Sequence, residues 1–317
     1  MNRLFYLPLI SLFVLSARAE MAFVPNEGDG TVSQANLATL SVENVRIPRE
    51  GSLGKKLQGI AISADGATLF AADAKGNDVA VVDVGSGAIR KRIPAGQSPE
   101  GIMLSPDGRQ LAVCAEESNE VVFIDTGKLA ESWRLKIRGR NPEHCVFSRD
   151  GKWLMASNEE SSDVDVIDVA ARKVVHQIKG LSHPRGMGFS PDGKLLYVAN
   201  EGANTLAFVK VEGWTVQGSV QTGVRAAGVL VHPVDGRIFV ANGGEGTVAV
   251  VNPETRAVTA RIGVGKRPWN MALSGDGKRL LVANGRSDSV SVIDTEQLTV
   301  VSTLGVGKLP WGVAIPR

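Results

Sequence analysis

Along this 317-residue chain one short run places an acid, an imidazole and a thiol side by side: Glu143-His144-Cys145. Those residue types could supply a general base, a metal ligand or a nucleophile. The sequence holds 4 His and 2 Cys in all, and no histidines stand at the short spacings of a metal-binding motif. It also lacks a Gly-x-Ser-x-Gly elbow and a phosphate-binding loop. Glu143, His144 and Cys145 with His183 form the one group that could be weighed as a transition-metal site, and no metal is expected there. Glu100, Glu143 and His144 form the one acid–base group. Cys114 is the other cysteine. Export would permit a disulfide, but two buried free thiols are expected.

A repeat sets where these residues stand. Asp-Gly pairs recur at Asp65-Gly66, Asp107-Gly108, Asp150-Gly151, Asp192-Gly193, Asp235-Gly236 and Asp276-Gly277. A period of about 42 residues signals a propeller or an array. Each period carries four short β-branched runs separated by turn residues, designated strands A to D. In Ser105-Pro-Asp-Gly108 and Ser190-Pro-Asp-Gly193, Pro and Asp suit the middle of a tight turn and Gly the left-handed exit. These aspartates therefore read as A–B hairpin turns rather than catalytic acids. Strand A recurs seven times, at Gly59, Gly101, His144, Gly186, Gly228, Asn270 and Gly312. The first strand B, Met21 to Val24, has no strand A before it, and the last strand A, Trp311 to Ile315, has no strand B after it. The expected fold is all-β: a seven-bladed β-propeller of four-stranded antiparallel blades, its ring closed by pairing of the N- and C-terminal strands.

Residues 1–19 read as a secretory signal peptide. Arg3 precedes an apolar stretch from Leu4 to Leu15, and Ala17-Arg18-Ala19 offers a cleavage site. The stretch is too short to span a membrane, and no later segment would. Losing Arg3 and Arg18 leaves basic and acidic residues in balance. That balance gives no footprint for nucleic acid. The propeller is expected to occupy residues 20–317, as a periplasmic or secreted monomer without a cofactor.

The Ser-Pro-Asp-Gly turns, Tyr197-Val-Ala-Asn200, its variants Phe239-Val-Ala-Asn242 and Leu281-Val-Ala-Asn284, and the Val-x-Val-Ile-Asp strand resemble the YVTN-repeat β-propellers, exported and YncE-like. The ending Gly307-Lys-Leu-Pro-Trp-Gly-Val-Ala-Ile315 resembles a subgroup associated with PQQ-dependent alcohol catabolism. The resemblance implies a seven-bladed, exported and mostly non-enzymatic propeller. Trp-Asp and Gly-His dipeptides are absent, unlike in WD40 repeats. The single Asp125-Thr-Gly-Lys128 only imitates a quinoprotein docking motif, so PQQ bound by this chain is not expected.

The D–A and B–C loops share one face, and the D–A loops vary most. Around that mouth run Gln58, Glu100, Glu143, Arg185, Ala227, Trp269 and Trp311, with Lys56, Ser98, Asn141, His183, Arg225, Arg267 and Leu309 two residues before them. Glu100 and Glu143 form an acidic sector, His183, Arg185, Arg225 and Arg267 a basic arc, and Trp269 and Trp311 an aromatic pair. Gly opens strand A in five blades, so His144 and Asn270 are expected to intrude on the axis. The basic arc and tryptophans suit a protein partner or a small anionic ligand. The expected function is non-catalytic binding, as an accessory to a periplasmic, PQQ-dependent oxidation system. The alternative is a lactonase-like or metal-assisted hydrolase. Asn26, Asp73, Asn158, Asn200, Asn242 and Asn284, at strand B ends, are expected to bond the following turn.

Overall fold

The computed structural model describes residues 20–43 and 47–316, so the signal peptide expected over residues 1–19 lies outside the described residues. Six four-stranded antiparallel sheets follow one another, each in the order A-B-C-D. Blade 4 is representative, with strands Pro142–Phe147, Trp153–Asn158, Asp163–Asp168 and Lys173–Ile178. Blade 1 has three strands, Met21–Asn26, Thr31–Asn36 and Ser41–Val42. The end of the chain lies beside the first of them. Ala314 bridges Phe23 and Pro310 bridges Asn26. Phe23 N–H donates to Ala314 O and Ala314 N–H to Phe23 O, both at 2.8 Å, and Trp311 N–H donates to Pro25 O at 3.0 Å. The final segment therefore pairs as two isolated bridges rather than a continuous ladder.

The turns form for the expected local reason. Ser105 Oγ donates to Asp107 Oδ1 at 2.6 Å, which also accepts Arg109 N–H at 3.1 Å, and Gly108 takes a φ of 69°. That side chain bonding inside the turn holds the Asp107 carboxyl below its ordinary range. The pattern repeats from Ser63, Ser148, Ser190 and Ser274. In the remaining turn His232 replaces serine, and its Nδ1 accepts Asp235 N–H at 3.3 Å.

Strands B and C of each sheet are buried on both faces, which is why they read as continuous apolar runs, while the outer D strands are largely exposed. In strand B of blade 3 (Gln110–Ala115), Leu111 and Val113 pack against blade 2 while Ala112 and Cys114 pack against blade 4. Successive side chains point to opposite faces. Truncating a fully buried leucine such as Leu111 would cost about 2–5 kcal/mol.

The A strands crowd the axis. A Cβ at Gly59 or Gly101 would strike the carbonyl oxygen of Glu100 or Glu143 in the next blade. Only glycine admits so close an approach. A bond to the following turn is expected of the strand B ends; their side chains instead reach strand C and the D–A loop. Asn284 Nδ2 donates to Ser289 Oγ at 3.2 Å and Ser291 Oγ at 2.9 Å, while its Oδ1 accepts Gly265 N–H at 3.1 Å. Asp73 Oδ1 accepts the N–H groups of Lys55 and Lys56. These buried groups pin the mouth loops to the blades.

Candidate functional site at the channel mouth

Two concentric sets of residues build the mouth. The first is the D–A ring read from the sequence. The second is the residue that follows strand B: Glu27, Ala74, Glu116, Glu159, Glu201, Gly243 and Gly285. In every blade its N–H donates to the residue preceding strand A, as in Glu201 N–H to His183 O at 3.0 Å and Gly243 N–H to Arg225 O at 2.9 Å. That residue has a left-handed backbone in six blades: Ser98, Asn141, His183, Arg225, Arg267 and Leu309. A side chain from the B–C loop of the preceding blade often fixes it: Asn204 Oδ1 accepts Arg225 N–H at 2.7 Å and Asp288 Oδ1 accepts Leu309 N–H at 2.9 Å.

The second ring changes the electrostatics of the first. Glu201, which the sequence reading did not single out, gathers the basic arc. Its carboxylate accepts Arg225 Nε at 2.6 Å and Arg267 Nη2 at 3.4 Å, and it forms an ion pair with Arg185, whose Nε stands 3.5 Å away. Burial works against the Glu201 charge, but these cations outweigh it and hold the carboxyl below its ordinary range. Arg185 also pairs with Glu143 and, at 3.4 Å, with Glu159. Its side chain is only 12% exposed, so this guanidinium is an internal ion rather than part of a solvated arc. Burial opposes its charge, and Glu143, Glu100, Glu201 and Glu159 overcome that cost. His183 is exposed and stands outside this network of side chains.

Glu100 and Glu143 are both buried and act on each other directly. Burial raises both carboxyls, Glu100 to about 7, and the negative charge of Glu100 adds to the rise at Glu143. Arg185 pulls both down. Two carboxyls in contact cannot both ionise cheaply, so the pair holds a proton near neutrality and titrates as a unit. Glu143 Oε2 and Gln58 Oε1 are buried without a hydrogen-bond partner among the described residues.

His144 and Asn270 both lie against Trp311. The His144 ring meets Trp311 edge to face, centroids 5.6 Å apart, and Asn270 Nδ2 donates to Trp311 O at 3.4 Å. Burial, reinforced by the Arg185 charge, lowers His144 to about 4, so its imidazole is neutral at neutral pH. Trp311 is 9% exposed, a side chain packed at the axis. Trp269 is partly exposed and lies over Gly285, where a Cβ would run into its ring. The Arg267 guanidinium stands 5.9 Å from the Trp269 ring centroid.

Cys114 and Cys145 form a disulfide, with Cα atoms 6.1 Å apart. The expectation of free thiols is corrected: strand B of one blade and strand A of the next bring the two Cβ atoms within bridging range. Cys145 is therefore not available as a metal ligand or nucleophile. Among the described residues no three or more His, Cys, Asp or Glu side chains gather in a way that could hold a metal ion. No helix among them is long and apolar enough to cross a membrane.

With all-β blades around a charged mouth, the molecule is a seven-bladed β-propeller. The family profile described as YNCE-like beta-propeller matches residues 221–311, and that described as lactonase, 7-bladed beta-propeller matches residues 13–128. Over these segments the chain is similar to YncE-like and lactonase-type seven-bladed propellers. Solved structures show the same fold. Kuenenia stuttgartiensis hydrazine synthase is 24% identical, with 86% of this chain and 92% of that chain covered and a TM-score of 0.78. The periplasmic gluconolactonase of Pseudomonas aeruginosa is 20% identical, covering 94% and 99%, with a TM-score of 0.76. A functionally unknown protein from Desulfotomaculum acetoxidans is 17% identical, covering 94% and 99%, with a TM-score of 0.81. Among curated proteins, none matches the sequence significantly.

Proposed function

We propose that the protein is a periplasmic lactonase-like hydrolase working at the channel mouth. One observation carries this reading: two carboxyls, Glu100 and Glu143, are buried together against Arg185, their burial raises both above the ordinary carboxyl range, and His144, lowered by burial, follows Glu143 directly in the chain. Acid and base of different protonation at one site are what ester and lactone hydrolysis requires. Neutral His144 accepts a proton from the attacking water as the new C–O bond forms. Arg185, with Arg267 on its Glu201 side, stabilises the oxygen on which negative charge develops. The carboxyl pair gives its proton to the ring oxygen as the lactone C–O bond breaks. The match of residues 13–128 to the lactonase profile and the gluconolactonase-like fold support the same reading.

A second reading keeps the chain as an exported binding protein, an accessory to an oxidation system, PQQ-dependent in the finer form. It is favoured by the YNCE-like match over residues 221–311, which contains Arg225, Arg267, Trp269 and Trp311. Proton release from glucono-δ-lactone and simple aliphatic lactones, followed in a pH-stat, separates the two. The hydrolase reading expects turnover that Glu143→Gln and His144→Ala each abolish. Rates equal to buffer across that panel, from folded wild-type protein, would refute it. Capture of a periplasmic partner lost on Trp269→Ala would then support the second reading.

A further inference from the structure

The strand that carries Glu143 and His144 is held unlike its counterparts. The penultimate residue of strand B is Ala in four blades, at Ala72, Ala199, Ala241 and Ala283. It is Pro25 in blade 1, where the Pro25 carbonyl accepts Trp311 N–H. The other two departures are Cys114 and Ser157, in blades 3 and 4, and both grip one short piece of chain. Cys114 is bonded to Cys145, the residue after His144. Ser157, fully buried, lies within reach of the His144 backbone: His144 N–H donates to its Oγ at 3.3 Å, and the Oγ stands 3.4 Å from His144 O. The ladder responds. In blade 4 the A–B pairing reaches His144, opposite Ser157, after skipping only Glu143. In blades 2, 3, 5, 6 and 7 it skips two residues, as between Pro99 and Ile102 or Pro184 and Met187.

We propose that the Cys114–Cys145 disulfide and Ser157 are a two-sided clamp that positions the Glu143 and His144 side chains at the mouth. The clamp's catalytic consequence rests on the hydrolase reading above; its geometry does not. Strand A of every other blade meets its neighbours with an apolar residue at the Cys145 position, namely Ile60, Ile102, Met187, Val229, Met271 and Val313. Apolar packing alone suffices to hold a strand there. A covalent bond and a buried hydroxyl are needed only where a strand bears an ionisable pair that must keep one arrangement. The His144 ring has no freedom to spare: its Nδ1 is 3.1 Å from Glu143 O, it meets the Trp311 ring edge to face, and the charges of Arg185 and Glu201 bear on it. A shift of the strand between Glu143 and Cys145 would change all of these distances at once. Ser157 and the disulfide are thus positioning groups rather than catalytic residues, and reduction would release one side of the clamp.

The test uses the Cys114→Ala/Cys145→Ala double variant, Ser157→Ala, and Ser157→Thr as the conservative control. The His144 ring is titrated by NMR, and lactone hydrolysis and thermal melting are followed alongside. Release of the clamp is expected to raise the His144 pKa by about one unit or more, a tenfold change in proton affinity. It should also lower kcat about tenfold or more with little change in KM, because reacting groups are displaced while binding contacts persist. Ser157→Thr should restore the wild-type titration. If the double variant does not fold, Ser157→Ala and wild type reduced with a thiol carry the measurement. An unchanged His144 titration in all folded forms, whatever their melting temperatures, would overturn the clamp. Absent lactone turnover with a shifted titration would overturn the hydrolase reading and leave the clamp standing.

Discussion

Replacing Arg185 by Met should destabilise the propeller far more at pH 8 than at pH 5. Arg185 is the main cation that both Glu100 and Glu143 face, and it also binds Glu159 and Glu201. Glu201 would keep Arg225 and Arg267. The acid pair would keep little, Lys56 being the weakest influence on Glu100. At pH 8 the variant must either bury uncompensated charge or take up protons, and breaking a buried pair costs about 3–5 kcal/mol. At pH 5 the pair is protonated, and the loss shrinks to packing and the Glu159 and Glu201 contacts, about 1–2 kcal/mol. The wild type has its own slope. Glu100 is raised in the fold, from 4.5 to about 7, so the native state binds more protons than the unfolded chain between those values. Stability from this group is full at lower pH and is lost as pH rises through about 7, by roughly 3 kcal/mol. His144, lowered to about 4 from 6.5, contributes the opposite slope between those values. Urea unfolding followed by tryptophan fluorescence at the two pH values measures the difference. An equal loss from Arg185→Met at pH 5 and pH 8 would show that the acid pair does not feel this cation.

Deleting residues 309–317 removes the two bridges to strand B of blade 1 and the buried Trp311 and Ile315, so the melting temperature should fall by several degrees or more at about 25 cal/mol per Å² of apolar surface re-exposed; an unchanged melting curve would rule out a structural role for that segment. Gly285→Ala should displace the Trp269 ring, seen as a shift in tryptophan emission with secondary structure retained by circular dichroism. The hydrolase reading further expects a bell-shaped kcat/KM profile, falling below about pH 4 as His144 protonates and on the alkaline side as the acid pair gives up its proton; a profile flat from pH 5 to pH 9 would count against those roles.

The repeat was legible because its grammar is local. A Ser-Pro-Asp-Gly turn closes through its own serine and aspartate, and the period places the next one, so blade number follows from seven A strands. The mouth was legible only in part. Reading along the D–A loops found Glu100, Glu143, Arg185 and His144 but grouped His183, Arg185, Arg225 and Arg267 as a basic arc with no acid among them. Their partner Glu201 sits on a different loop, and only aligning the residue after each strand B reveals that second ring. Its signal is in the sequence: an acid follows strand B in Glu27, Glu116, Glu159 and Glu201, and glycine in Gly243 and Gly285. The disulfide was not legible, because it depends on the stagger of strand A against strand B of the previous blade. Spacing along the chain does not specify that stagger.

Blade 1 draws its strands from both ends of the chain, and this imposes an order of events. A chain emerging from its N-terminus can complete blades 2 to 7 one after another, each from contiguous sequence. The earliest blade has to wait, with one flank of Ala22 and Val24 exposed, until Ile315 arrives to cover the cluster they share with Ala272 and Leu281. The first strand of blade 1 is thus made before blades 2 to 7 and finished after them.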